Sequence, residues 1–200
     1  MKQYDLKSLS NILSNGGVGI FPTDTVYGIG CNAFDDLAIK KLFDYKKRDL
    51  SKPINVLISN TLMLNKLVDN ISDIEQKLIN NFWPGALTIV FKKNPNVSNL
   101  LTAGLDSIGV RMPNNQICLE LIDNVGLPLA TSSANISNEP PIAYINENLI
   151  KNFNNKVDFI LDFGKIDTSI PSTIVRVDDD KINILREGPI SLDDMLEVIK

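Results

Sequence analysis

Apolar and polar residues alternate along this chain with two different periods, and the switches between them mark the elements. Leu6, Leu9, Ile12 and Leu13 recur at helical spacing and run into Gly16 and Gly17, a helix and its C-terminal stop. Val18 to Phe21 is a short apolar run closed by Pro22 and predicts a buried strand. A polar loop of Thr23, Asp24 and Thr25 follows, before Val26-Tyr27-Gly28-Ile29-Gly30. Asp35 is placed to cap a helix whose inner face is Ile39, Leu42 and Phe43 and whose last turn is cationic, Lys46-Lys47-Arg48.

The same alternation continues to the C-terminus. Ile54 to Ile58 predicts a strand, and Ser72-Asp73-Ile74-Glu75 is a capping box opening a helix that ends at Trp83-Pro84-Gly85. Strand patterns recur at Ala86 to Phe91, Ser107 to Met112 and Pro128 to Thr131, with a helix through Ile117, Leu121 and Ile122 that stops near Gly126. The last third predicts a helix around Tyr144 to Phe153, strands at Phe159 to Asp162, Thr173 to Val177 and Ile182 to Leu185, and a final helix capped by Ser191 with Asp194. No repeat, linker or compositional break interrupts this order. The expectation is therefore an α/β chain folding as one domain over 1–200: three layers, with a twisted mixed sheet of about seven strands among five or six helices on both faces. In such sheets ligands sit where polar loops leave the strand ends.

Composition narrows the chemistry. A chain of 200 residues can bury roughly 70% of its unfolded surface and needs no disulfide staples. Cys31 and Cys118 are far apart and read as reduced core thiols. The sequence contains no histidine, which excludes Ser-His-Asp and Cys-His nucleophile pairs and any imidazole-ligated metal site. A net charge of -4 gives no bulk attraction to nucleic acid. The N-terminal segment has no continuous apolar core, and no apolar run approaches the ~18 residues of a membrane span. A cytoplasmic protein without membrane attachment is expected. With sixteen Lys and four Arg, each arginine carries more information than usual.

Five segments hold the chemistry-bearing residues. Pro22-Thr23-Asp24-Thr25 is either a plain turn or the hydroxyl-rich edge of a pocket, and it lacks the glycine spacing of a dinucleotide loop or P-loop. Lys46, Lys47, Arg48 and Lys52 serve either as helix-end charge compensation or as a phosphate-binding cluster. Arg111 interrupts an apolar strand, so it needs a partner: a structural salt bridge or a substrate carboxylate. Thr131-Ser132-Ser133-Ala134-Asn135 is either a structural turn or a cradle for phosphate oxygens. Arg176 and Arg186 stand on neighbouring late strands, Arg186 beside Glu187 and a Gly-Pro turn, and in a chain that prefers Lys four to one they suggest planar, bidentate recognition more than mere charge.

In this order the segments resemble the YrdC-like family of threonylcarbamoyl-AMP synthases. The residues that carry the resemblance are P-T-D-T-V-Y-G-I-G at 22–30, K-K-R at 46–48 with K-P at 52–53, W-P-G-A-L-T at 83–88, G-V-R-M-P at 109–113, S-A-N at 133–135, and P-S-T-I-V at 171–175 with L-R-E-G at 185–188. The resemblance implies a nucleotidyltransferase that converts L-threonine, bicarbonate and ATP, with Mg2+, to threonylcarbamoyl-AMP, pyrophosphate and water. Partner proteins would then transfer the product to tRNA. It also implies that Thr25, Arg111, Thr131 and Ser172 hold threonine, and that Arg48, Lys52, Ser107, Ser133 and Arg186 hold ATP. Lys46 and Asn135 complete the family's K-x-R and S-x-N signatures, Pro141 falls near the nucleotide, and Lys46, Arg48 and Lys52 form the cluster expected to stabilise departing pyrophosphate. No residue is assigned to a protein-held metal.

Two departures accompany the resemblance. Many relatives carry histidine in the strand after the K-P pair, where this chain has Ile54-Asn55-Val56-Leu57-Ile58 with Leu57 in question. Longer relatives append a second domain, so this chain looks like the short form. Two other readings compete: an RNA-binding or ribosome-maturation module, to which weak RNA binding would belong and whose signature would be steep salt-dependent RNA binding without ATP turnover, and carbamoyl transfer to another acceptor.

Overall fold

A computed structural model describes residues 5–200. Helix α1 (Leu6–Ser14) starts at Asp5, whose carboxylate accepts from the Lys7 and Ser8 amides. It leads into strands β1 (Gly19–Phe21) and β2 (Gly28–Asn32), which pair antiparallel with Ile20 opposite Ile29. Asp35 caps helix α2 (Asp36–Lys46), as its position before the periodic segment predicts, and Lys47 ends the helix in the left-handed conformation. Strand β3 (Asn55–Leu57) is followed by helix α3 (Asp73–Phe82), opened by the Ser72–Glu75 capping box. The order continues with β4 (Leu87–Lys92), the single turn α4 (Asn99–Thr102), β5 (Ser107–Arg111), α5 (Gln116–Val125) and β6 (Leu129–Ser133). It closes with α6 (Glu147–Phe153), β7 (Phe159–Ile160), β8 (Thr173–Asp178), β9 (Lys181–Arg186) and α7 (Leu192–Ile199), the last capped by Ser191 with Asp194.

The strands form one mixed sheet in the order β7-β1-β2-β6-β3-β5-β4-β8-β9. Pairs β1–β7, β3–β5 and β4–β8 are parallel and the others antiparallel. Nine strands replace the expected seven or so. The strand that a count of apolar runs misses is β2, with Gly28 and Gly30, whereas β7 falls inside the strand predicted at Phe159 to Asp162 and is shorter than predicted. Helix α4 and the 3-10 turn at Thr61–Lys66 also carried no periodic signal, because each is too short to show one.

Helices flank the sheet: α1 packs on α5, α3 on α7, and α2 against β2 and α4. Ile20, Ile29, Val56, Ile89, Val110, Ala130 and Val175 are fully buried in the core. Each large side chain so buried is worth about 1.5–3 kcal/mol. Cys31 and Cys118 are free and buried, and burial pushes the Cys118 thiol up to about 12, so both stay protonated core residues. On the other side of β4, β5 and β8, Thr88, Val90, Ser107, Gly109, Ile174 and Arg176 line a cavity instead of packing beneath helices. Among the described residues no helix is long and apolar enough to cross a membrane.

Glycine at position 30 is required by close approach. A Cβ there would lie 2.8 Å from Thr131 Oγ1 and 2.9 Å from both the Ala130 carbonyl and the Phe21 ring. Gly30→Ala is therefore expected to destabilise the fold by about 1–3 kcal/mol. A lowered urea midpoint with unchanged slope would report this, and an unchanged midpoint would contradict it.

Candidate active site

A cavity of about 670 Å3 opens on the sheet, within the size range of small-molecule sites. Its innermost fixed point is Arg111 at the end of β5. Only 5% exposed, Arg111 is held on three sides. Its Nε donates to the Gly85 carbonyl at 2.9 Å, Nη1 donates to Thr25 Oγ1 at 2.9 Å, and Nη2 pairs with the Asp24 carboxylate. Burial pulls the guanidinium's pKa down while Asp24 opposes the shift. Thr23 supports the same loop: its hydroxyl bonds that of Thr25 at 3.2 Å and donates to the Val26 carbonyl at 2.7 Å.

A second wall comes from the chain's last third. Ser172 Oγ bonds Thr88 Oγ1 at 2.8 Å. Arg186 donates from Nε and Nη2 to the Ser172 carbonyl at 3.1 and 2.7 Å, and from Nη2 to Ser172 Oγ at 3.2 Å. Burial, and then the like charge of Arg111, lower the Arg186 pKa, so these two cations sense each other across the site.

The third wall joins the α2–β3 connection to the end of β6. Arg48 donates to the carbonyls of Lys52 and Pro53, at 3.3 and 2.7 Å, which fixes the guanidinium while leaving its charge uncompensated. Lys46 is 1% exposed and does not line the cavity. Its ammonium lies beneath the wall and donates to the Ser133 and Asn135 carbonyls. Burial, reinforced by Arg48 and opposed by Glu139, pulls Lys46 down to about 7. Asn135 donates from Nδ2 to the Ile136 and Glu139 carbonyls at 3.0 and 2.7 Å, which shapes the loop bearing Pro141.

Of the residues singled out in the sequence, Thr25, Arg48, Lys52, Ser107, Arg111, Thr131, Ser133, Asn135, Pro141, Ser172 and Arg186 all border this one cavity. Among the residues that the resemblance assigns to the site the exception is Lys46, which is buried against two main-chain carbonyls instead of facing the cavity. Arg111 resolves its two readings in part, since Asp24 already supplies a salt bridge. Sequence reasoning gave no role to Asp24, Asn55, Thr88 or Glu139, and gave Arg176 only the general one of bidentate recognition. The carboxylate partner of a strand arginine was nevertheless there to find, in the polar loop at 23–25.

A family profile named for Sua5, YciO and YrdC, and described as "Telomere recombination", matches residues 11–188. The chain belongs to this family. It is 33% identical over 199 residues to the threonylcarbamoyl-AMP synthase of Pyrococcus abyssi, covering 100% of this chain and 58% of that protein. It is 34% identical over 189 residues to the Bacillus subtilis enzyme of the same name, covering 94% and 54%. The structure of P. abyssi Sua5 complexed with L-threonine superposes with a TM-score of 0.92 at 34% identity, over 97% of this chain and 57% of that one. Escherichia coli YciO, at 23% identity and a TM-score of 0.84 over 95% and 92%, shares the fold. The chain thus spans little more than half the length of the two named synthases.

Two predictions follow from the buried charges. Asp24→Ala strands Arg111 without its counter-charge and is expected to cost about 3–5 kcal/mol, measurable by urea unfolding. A cost below that of an ordinary surface substitution would mean that the pair is not the anchor described. For Lys46, folding lowers the pKa, so between about 7 and the ordinary lysine value the unfolded chain binds the extra proton. Stability contributed by this group therefore rises with pH through that window. Wild type should gain stability relative to Lys46→Met as pH increases from 7 towards 10, and parallel pH profiles would refute the buried titration.

Proposed function

We propose that this chain is a nucleotidyltransferase that makes threonylcarbamoyl-AMP from L-threonine, bicarbonate and ATP, releasing pyrophosphate and water. The observation that carries the reading is the convergence of eleven residues from separate segments on one cavity. The names of the relatives and the threonine complex of P. abyssi Sua5 support it. Hydroxyls of Thr25, Thr131 and Ser172 share the cavity with Arg111 and suit an amino acid with a carboxylate and a hydroxyl. Arg48, Lys52 and Arg186, with the hydroxyls of Ser107 and Ser133, suit a polyphosphate.

In this reading the threonine amine captures CO2 or bicarbonate, losing a proton, and a carbamate oxygen attacks the α-phosphorus as the bond to pyrophosphate breaks. The chain's contribution is alignment of two reactants and neutralisation of phosphate charge, and neither needs an imidazole. Mg2+ fits as an ion carried by the nucleotide: the lining offers the Glu139 carboxylate and several hydroxyls, a sparse oxygen set that leaves most ligand positions to phosphate and water. When bound, the ion would neutralise phosphate charge. Proteins that pass the product to tRNA are the partners this reading implies.

The test is pyrophosphate release from ATP and Mg2+, omitting L-threonine and bicarbonate in turn, with the adduct's mass measured under mild conditions. Release that needs both, and at least a tenfold loss in Arg48→Ala, is expected. Release indifferent to threonine would move the reading to another carbamoyl acceptor. RNA binding without turnover would move it to a binding module.

A further inference from the structure

Arg176 is the one arginine to which the resemblance gives no task, and the sequence gives it only a general one, planar bidentate recognition. The strand register sets it in the site. Gly109 of β5 lies opposite Val90 of β4, Val90 lies opposite Arg176 of β8, and all three line the cavity. Arg176 therefore stands at the outer end of a row crossing three strands, on the sheet face that also carries Ser107 and Arg111.

Its bonding differs from that of the other arginines. Arg48 and Arg186 are braced by neutral main-chain carbonyls, and Arg111 by a carbonyl, a hydroxyl and a deeply placed carboxylate. Arg176 is held through Nε alone, at 2.7 Å from Asp178 Oδ2, an oxygen that also accepts from Asn183 Nδ2 at 3.1 Å. Among the described residues its two terminal nitrogens donate to nothing in the chain. The two side chains of the pair are 49% and 42% exposed, so water screens it and it contributes little to stability. A guanidinium in that state exchanges its partner readily, and a phosphate group offers two oxygens for a stronger, bidentate contact.

We infer that Arg176 is a further phosphate-binding cation of this cavity, held by Asp178 until a phosphate group of ATP or pyrophosphate displaces that carboxylate. The inference rests on the polyphosphate reading of the site. It assigns the two residues opposite effects on affinity: Arg176 adds to it, and Asp178, by competing for the guanidinium, subtracts from it.

Calorimetric titration with ATP and, separately, with pyrophosphate, each with Mg2+, tests this in wild type, Arg176→Gln and Asp178→Asn, with thermal unfolding of each. Arg176→Gln should weaken binding roughly fivefold, and Asp178→Asn should tighten it by roughly two- to threefold. Loss confined to ATP would assign the contact to the intact nucleotide, and loss with both ligands to the leaving pyrophosphate. Either pattern supports the inference. Unchanged affinity with a lowered melting temperature would overturn it and leave Arg176 as a brace of the β8–β9 hairpin. Weaker binding by Asp178→Asn would overturn it as well. Wild-type protein that binds neither ligand would overturn the nucleotide reading itself, whereas wild-type binding that both variants preserve would remove only the role of Arg176.

Discussion

The buried pairing of Arg111 with Asp24 is the constraint around which the site is arranged. A guanidinium removed from water is costly, and a carboxylate at bonding distance offsets the cost only when the remaining donors are also satisfied. Here they are, by Thr25 and by the Gly85 carbonyl. The result is a junction of three segments far apart in sequence: the end of β5, the loop after β1 and the turn before β4. Apolar packing could join them too, but without fixing the direction of each hydroxyl and N–H at the cavity floor.

Charge is used locally in this molecule. With a net charge of -4, the chain as a whole repels a polyanion at long range. Within the cavity Arg48, Lys52, Arg111, Arg176 and Arg186 share the lining with a single carboxylate, Glu139. Carbonyl braces hold Arg48 and Arg186 in place without neutralising them. Attraction of this sort acts over a Debye length or less, so recognition depends on fitting the cavity and not on electrostatic capture from solution.

Much of the fold was legible because caps and breakers announced it. Asp35, the Ser72–Glu75 box, Gly126 and the Ser191–Asp194 box all mark helix ends where the sequence places them. Strand number was less legible, since Gly28 and Gly30 weaken the apolar pattern of β2 for the same reason that they let Thr131 and Phe21 approach it. Within the site, residue types at motif positions were readable and partnerships were not. Nothing in the spacing of Lys46 distinguishes a lysine that faces a phosphate from one that turns away to two carbonyls. Likewise Asp24 and Arg111 are 87 positions apart, and only strand order brings them together.

That strand order has a temporal meaning for a chain made from its N-terminus. Strand β6 inserts between β2 and β3, and β8, near the end of the sequence, supplies the neighbour of β4. A ribosome extending the chain at roughly 5–20 residues per second would expose the first strands for many seconds before the last wall could close. Until Arg186 has emerged, Ser172 lacks its brace and the cavity lacks one side. The cavity is therefore complete only after synthesis has passed the final hairpin.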